Sequence, residues 1–415
     1  MSKIKTTVKE INWALLDQAL VSGSNFIISI SLARFLGLEQ FGTFSLVWLF
    51  ILLIISVQYA LVITPMMTKV PVKSAVQIPS YVGSLLLLQL CTAILFCVIL
   101  VLVIIFIEAF YSFKIDDINL WVLCWVLISK QLQDFIRRYL FVTARPQIAF
   151  LNDVVCYLSQ LILLLLFFKW GVLGLGSVFI LIGIATSAAV ILATKVVFEL
   201  EFSILRIANI AIETWQYSKW MVASSLLTWT SSNLVLFVTG LTLSMTALGA
   251  VRAAQNVIGL LHVMFQAIEN FMPVQAAKNY HAKGIKGLNE YLSKCTLYGG
   301  LTTLGVVSFC AVFAEPLMRL IYGEGYENYA YIMYWFSGIY IFSFLTLPVM
   351  SGLRVIEKTK AIFNSMLWMS GVTLLVAYPL CLYFGISGAM FTMLLVRFGI
   401  YLLLKVSYNK NMLHA

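Results

Sequence analysis

Residues 250–275 are apolar enough to lie in a membrane, yet one side of the stretch is lined with groups that bind rather than pack. Counting 100° per residue from Arg252, Gln255, Asn256, Gly259, His262, Gln266, Glu269 and Asn270 fall within an arc of roughly 140°. The opposite arc holds Val251, Ile258, Leu261, Met264, Phe265 and Ile268. Amides, a guanidinium and a carboxylate are each costly to leave in hydrocarbon, so this stripe must face protein or a watery cavity. A helix held to its neighbours by amide hydrogen bonds would also carry polar residues. The extension of the stripe over several turns favours a transport pathway.

Other charges fall inside apolar stretches. Arg34 and Arg252 lie one to two turns from the outer ends of their spans, close enough to reach the headgroups instead. Lys130 and Arg397 lie near the midplane and need a partner, water or an anionic ligand. Lys130 has Asp134 four residues on, and Asp134 can reach Arg137 and Arg138, so an ion-pair ladder along that helix is the structural alternative. Arg397 has no such partner in its own helix. Arg397, Arg252, Lys130 and Arg34 are therefore the candidate binders of an anion. Asp17 and Glu269 are candidates to carry a coupling proton or sodium ion, since carboxylates near hydrocarbon hold protons more tightly. Either could equally bond a neighbouring helix. Asn256, His262 and Gln266 offer amide and imidazole edges to a sugar. The aromatic run that includes Tyr326, Tyr329 and Tyr331 reads in part as an interfacial belt, while Trp335 and Tyr340 lie deeper and suit the apolar faces of sugar rings.

The elements that must position these groups are membrane helices. The chain has 415 residues, 62% hydrophobic and 11% charged, against ~25% charged for an ordinary soluble domain. Cutting at charges, Pro and Gly gives twelve spans, the first at about 11–36 and the last at about 386–408, each near the ~20 residues a bilayer requires. With both termini cytoplasmic, about twenty Lys and Arg fall on inner segments, while the outer loops hold only Lys114, Lys169 and Arg319. The net charge of +10 is thus read as topology; no basic domain or stacking motif points to nucleic acid. The seven cysteines sit in apolar runs without C-x-x-C spacing, so neither a disulfide framework nor a zinc site is indicated. The three histidines are dispersed and no Gly-rich phosphate loop is present, so no enzyme, metal site or cofactor is expected.

An internal repeat organises the spans. Ser22-Gly23-Ser24-Asn25 answers to Thr230-Ser231-Ser232-Asn233, Gly42 to Gly249, Ala149 and Asn152 to Ala361 and Asn364, and Gly171 and Gly174 to Gly385 and Gly388, at offsets of 207 to 214. Four matches in order indicate two six-helix halves, 1–194 and 218–415, of like orientation about an axis along the membrane normal. Residues 195–217 join them and alternate apolar residues with Glu201, Arg206 and Glu213, which suits an amphipathic helix on the cytoplasmic surface or a solvated linker.

The segment Leu32-Ala33-Arg34-Phe35-Leu36-Gly37-Leu38-Glu39-Gln40-Phe41-Gly42-Thr43-Phe44, following the Ser-Gly-Ser-Asn patch, resembles the start of bacterial polysaccharide-biosynthesis transporters. These are the O-antigen flippases (Wzx type) of the multidrug/oligosaccharidyl-lipid/polysaccharide (MOP) superfamily. Length, span number, paired halves and the Gly-x-x-Gly turns are similar throughout. The resemblance implies an all-α, MATE-like membrane fold in the bacterial inner membrane. It also implies export of an undecaprenyl-pyrophosphate-linked repeat unit of O-antigen, the polymer of lipopolysaccharide, by rocking of the halves about a central cationic cavity. Arg34 lies in the matching segment. Polysaccharide polymerases and glycosyltransferases are the expected protein partners, beside membrane lipids. Twelve spans rather than fourteen argue against a lipid II flippase. A cation-coupled multidrug exporter of the same fold remains the alternative, kept open by Asp17, and a scaffold for the polymerase is a third.

Overall fold

The computed structural model describes residues 2–110, 118–197 and 199–413. Lys114, Asp116, Asp117 and His414, and the side chains of Lys3, Lys5, Lys9, Glu108 and Asn270, lie outside the described set. Every regular element among the described residues is helical. In chain order the α-helices are α1 (Ser2–Gln58), α2 (Thr64–Lys69), α3 (Ile78–Phe110), α4 (Leu120–Val142), α5 (Pro146–Lys169), α6 (Leu175–Leu192) and α7 (Thr194–Val197). There follow α8 (Ile207–Thr242), α9 (Met245–Ile258), α10 (Leu261–Val312), α11 (Ala314–Tyr322), α12 (Tyr331–Val355) and α13 (Thr359–Leu413).

Among the described residues, eight helices are long and apolar enough to cross a membrane. Three of them are far longer than one crossing: α1, α10 and α13 have 57, 52 and 55 residues. At ~1.5 Å per residue each would run ~80 Å, against ~30 Å of hydrocarbon. Each is broken near its middle by a glycine in the left-handed region, Gly37, Gly284 and Gly385. With ψ of 175°, −150° and −142°, these positions suit essentially glycine alone, and another residue there would cost about 1–3 kcal/mol. Helix α4, 23 residues long, falls outside the apolar set because Lys130, Asp134, Arg137 and Arg138 lie on it. The integral, multi-pass character expected from composition is thus present in the helices themselves.

The chain divides into two compact units. Unit 1 comprises Met1–Leu36 and Val47–Leu226; unit 2 comprises Gly37–Leu46 and Leu227–Ala415. The core of unit 1 gathers Met66 of α2, Leu85 of α3, Phe135, Ile136 and Leu140 of α4 and Ala149 of α5. From Ile207 onward the joining segment is the first three turns of α8. Its Ile210, Thr214 and Ser218 make a buried stripe at four-residue spacing. Ser218 Oγ donates to the carbonyl of Leu61 at 3.4 Å, and Glu213 pairs with Lys69 at 2.6 Å. Burial of that stripe, together with the ion pair, explains why the amphipathic pattern continues into the span.

In unit 2, α12 packs against both α10 and α13. Leu288 and Leu292 of α10, Val349 and Leu353 of α12, and Val396, Ile400 and Leu404 of α13 form its core. The segment Gly37–Leu46 joins this unit through a close backbone approach. A Cβ on Gly42 would strike the carbonyl of Met245, and a Cβ on Gly249 the carbonyl of Leu38. Leu38 and Met245, like Gly42 and Gly249, are 207 residues apart, so the contact is reciprocal in the manner of a two-fold isologous interface. The repeat detected in the sequence therefore meets itself at these two glycines. Of its other two glycine matches, the pair Gly171 and Gly385 has positive φ at both positions.

Candidate functional site

Unit 2 encloses a cavity of about 430 Å³. Five helices build it: α8 contributes Ser231 and Ser232, α9 Gln255 and Asn256, α10 His262 and Glu269, α12 Tyr340 and Ser343, and α13 Met393 and Arg397. Phe265 packs its ring 5.9 Å from that of Tyr340, which gives the polar wall an aromatic backing.

Arg397 donates from Nη2 to Ser232 Oγ at 3.3 Å, a long and neutral contact. Arg252 does not line the cavity; its Nη1 donates to Gln255 Oε1 at 2.9 Å, and Gln255 does line it. Among the described residues no carboxylate lies within ion-pair distance of either arginine. Among the described residues, two guanidinium groups at the cavity and its border stand against one carboxylate in its wall, that of Glu269. Such a site suits an anion. Near Arg252, Tyr322 donates to the carbonyl of Ala253 at 3.0 Å and stacks on Tyr326, ring centroids 5.0 Å apart. Burial pushes both phenols above the ordinary tyrosine value, so each remains a neutral donor.

Not every residue of the polar stripe reaches this cavity. Gln255, Asn256, Gly259, His262 and Glu269 line it, whereas Gln266 is exposed outside it and Phe265, assigned to the opposite arc, takes part in the wall. The reason is local: the helix is interrupted at Gly259 and Leu260, between α9 and α10. The lining face of α10 consequently sits about a quarter-turn from that of α9, where an uninterrupted 100° count would continue it. Tyr340 lines the cavity; Trp335 instead meets Phe391 edge-on, centroids 6.5 Å apart.

The remaining candidates lie in unit 1. Arg34 is exposed and makes no ion pair among the described residues. Lys130 pairs with Asp134 at 3.0 Å and also donates to Gln133 Oε1 at 3.0 Å. Gln133 passes its own amide to Asp153 Oδ1 at 2.7 Å, and Arg137 Nε reaches Asp153 Oδ2 at 2.5 Å. The other arm of Arg137 pairs with Asp17. Sequence pattern alone pointed Arg137 toward Asp134; in the fold it turns to α1 and α5 instead. Three carboxylates against two cations leave this network one excess negative charge, and Asp17 Oδ1 is buried without a hydrogen-bond partner among the described residues.

Two of these functional groups escaped the sequence reading. Asp153 is an isolated acid inside an apolar span, and its only signal was that a midplane charge demands a partner. Ser232, which meets Arg397, did carry a signal: it belongs to the repeated Ser/Thr-rich patch.

Known proteins share this architecture. A search of curated proteins returned no significant match. Among solved structures, an inward-facing multidrug resistance MATE family transporter of the MOP superfamily is similar with TM-score 0.72 and 11% identity, over 98% of this chain and 95% of that one. An outward-facing MATE family transporter gives TM-score 0.65 at 11% identity, over 99% and 96%. A MOP superfamily transporter from Pyrococcus furiosus, described for the reverse polarity of its binding pocket, gives 0.64 at 11% identity, over 98% and 95%. These likenesses fix the fold as that of MOP-superfamily transporters. The model of the family described as "Polysaccharide biosynthesis protein" matches residues 31–331, well over half the sequence, and the chain belongs to that family.

Proposed function

We propose that this protein is a flippase that moves an undecaprenyl-pyrophosphate-linked oligosaccharide, such as an O-antigen repeat unit, from the cytoplasmic to the periplasmic leaflet of a bacterial inner membrane. The observation that carries the reading is the cavity of unit 2, where Arg397 and, behind Gln255, Arg252 stand without a carboxylate partner among the described residues. A pyrophosphate would supply the missing negative charge, and a guanidinium binds its oxygens in a fork. Asn256, His262 and Tyr340 offer hydrogen-bonding edges to the sugars from the same wall. Gln266 and Trp335, outside that wall, and Lys130 and Arg34, in unit 1, would act at other stages of the passage.

The proposal includes twelve crossings: two each for α1, α10 and α13 at their glycine breaks, and one each for α3, α4, α5, α6, α8 and α12. An even number places both termini on one side, and the Lys/Arg bias assigns that side to the cytoplasm. The two six-helix halves would rock in alternating access. A coupling ion has two candidate seats, Glu269 in the cavity wall and the Asp17–Arg137–Asp153 cluster, whose excess negative charge a proton or sodium ion would neutralise. Polymerase and glycosyltransferases remain the partners we propose.

Likeness of fold to multidrug transporters supports a second reading, a cation-coupled drug exporter. The two arginines at the cavity and its border, neither with a carboxylate partner among the described residues, weigh against it, because they repel cationic drugs. The experiment is complementation of a deletion strain with wild type or Arg397→Ala. Loss of surface polymer, with lipid-linked precursor stranded on the inner leaflet and normal protein level, is expected for the variant. Undiminished polymer with Arg397→Ala would reject the assignment. Normal polymer in the deletion strain itself, with heightened sensitivity to cationic dyes, would move the reading to drug export.

A further inference from the structure

A second concavity of unit 2, separate from the cation-lined cavity, is a groove of about 470 Å³. One wall is a single face of α10 beyond Gly284: Asn289, Ser293, Thr296, Gly300 and Leu304 recur at three to four residues. Pro348 and Val349 of α12 and Lys405 and Tyr408 of α13 close it. From Asn289 to Leu304 the helix rises ~22 Å. One leaflet, hydrocarbon plus headgroup zone, measures ~20–22 Å.

The groove is graded along that length. At one end Tyr408 donates to Asn289 Oδ1 at 2.7 Å beside Ser293, and Lys405 is exposed without an ion pair among the described residues. Toward the other end the surface is leucine, with Leu297 and Leu301 each 58% exposed. The Lys/Arg bias places the polar end at the cytoplasmic face.

We propose that this groove binds a phospholipid with an anionic headgroup from the cytoplasmic leaflet. The phosphate sits against Lys405 and Ser293, and one acyl chain lies along Leu297, Leu301 and Leu304. Three features select this occupant: the one-leaflet length, the polar-to-apolar grading in the direction of a lipid, and at the headgroup end an ammonium that lies over the Tyr408 ring, 5.9 Å from its centroid, with no carboxylate partner among the described residues. A basic pocket between membrane helices on the cytoplasmic side is a recurrent site for anionic headgroups.

The groove can be blocked with little risk to the fold. A Cβ on Gly300 would meet only Phe344 Cε1, at 3.6 Å, an ordinary contact, so a larger side chain there enters the groove. Wild type, Gly300→Leu and Lys405→Gln would be purified, delipidated and titrated in detergent with phosphatidylglycerol or phosphatidylethanolamine, bound lipid being counted by native mass spectrometry. Wild type is expected to retain phosphatidylglycerol roughly tenfold better, the scale of one charge-assisted contact. Lys405→Gln should lose that preference while still binding lipid, and Gly300→Leu should bind neither. Equal retention of both lipids by all three proteins would overturn the proposal. So would a retained polyprenyl phosphate in place of phospholipid, or a dimer of this chain that only Gly300→Leu dissociates. Should Gly300→Leu fail to fold, the headgroup preference of Lys405→Gln decides alone.

Discussion

In unit 1 the guanidinium of Arg137 sits between the carboxylates of Asp17 and Asp153, whereas in unit 2 that of Arg397 donates to the Ser232 hydroxyl and has no carboxylate within ion-pair distance among the described residues. Lys130 and Arg252 repeat the contrast, the first paired with Asp134 and the second donating to the Gln255 amide oxygen, with no carboxylate within ion-pair distance among the described residues. The two units share a repeat and a helical architecture but treat an intramembrane cation differently. A cation closed off by acids has much of its field cancelled within the protein. One held by neutral oxygens keeps most of its field, and in a low-dielectric cavity that field is strong. Under the proposed function, unit 2 is where an anionic substrate would be held, while Lys130 and Arg137 of unit 1 are met by acids of the protein itself.

Substituting the two arginines tests this directly, and Arg137 should give the larger effect. Arg137→Gln leaves Asp17 and Asp153 buried without their counter-charge, a loss of about 3–5 kcal/mol of stability. The expected result is a steep fall in folded protein, read by fluorescence-detected size exclusion after heating. Adding Asp17→Asn and Asp153→Asn to the same chain should restore much of it. A melting curve of Arg137→Gln that overlays the wild type would remove the structural assignment of unit 1.

Arg397→Ala should behave in the opposite way. No carboxylate is orphaned, so the melting temperature should hold or rise. Affinity for a pyrophosphate-bearing lipid analogue should fall by about 1.5–3 kcal/mol, the value of a charge-assisted hydrogen bond. Binding to the reconstituted protein measures it. Destabilisation as large as that of Arg137→Gln would abolish the contrast between the units.

Much of the framework was legible in the sequence because it follows from length and apolarity. Helices α3, α5, α6 and α12 are each a single run at least as long as one crossing requires. The polar stripe was legible from helical periodicity, up to Gly259. What periodicity cannot carry is phase across a break, and the interruption at Gly259 and Leu260 turned Phe265 into the cavity and left Gln266 outside it. Pairing between distant helices was equally out of reach. Lys130 and Asp134 are four residues apart and could be paired on sight, but Arg137 meets residues 120 positions upstream and 16 downstream. The offset of 207 named Gly42 and Gly249 as equivalents; only the fold brings them together.

That glycine contact sharpens the comparison from the other side, since it belongs to what the repeats have in common. A methyl group at either position meets a carbonyl of the facing helix, an overpacking of about 1–3 kcal/mol. Because the contact is reciprocal, Gly42→Ala and Gly249→Ala should destabilise by similar amounts. The double variant should cost less than the sum, since the first substitution has already parted the helices. Thermal melting of the three proteins checks this. Unequal single effects, or strict additivity, would mean that the two positions are equivalent in sequence but do not share one contact.

The smallest effect is the most informative about recognition. Arg397→Lys keeps the charge of the cavity and removes the planar fork. If Arg397 acts mainly by neutralising negative charge, the substitution is nearly silent and the difference between the units reduces to electrostatics. If it grips two oxygens of a phosphate at once, one hydrogen bond is lost, about 0.5–1.5 kcal/mol, roughly a three- to tenfold weaker affinity. The distance to Ser232 favours the second outcome: at 3.3 Å the hydroxyl orients one arm of the guanidinium without satisfying it. A lysine has no fixed second arm for Ser232 to orient. Removing that hydroxyl with Ser232→Ala should therefore weaken binding when Arg397 is present and leave binding unchanged in the Arg397→Lys background. Equal losses in both backgrounds would show that Ser232 contacts the ligand itself.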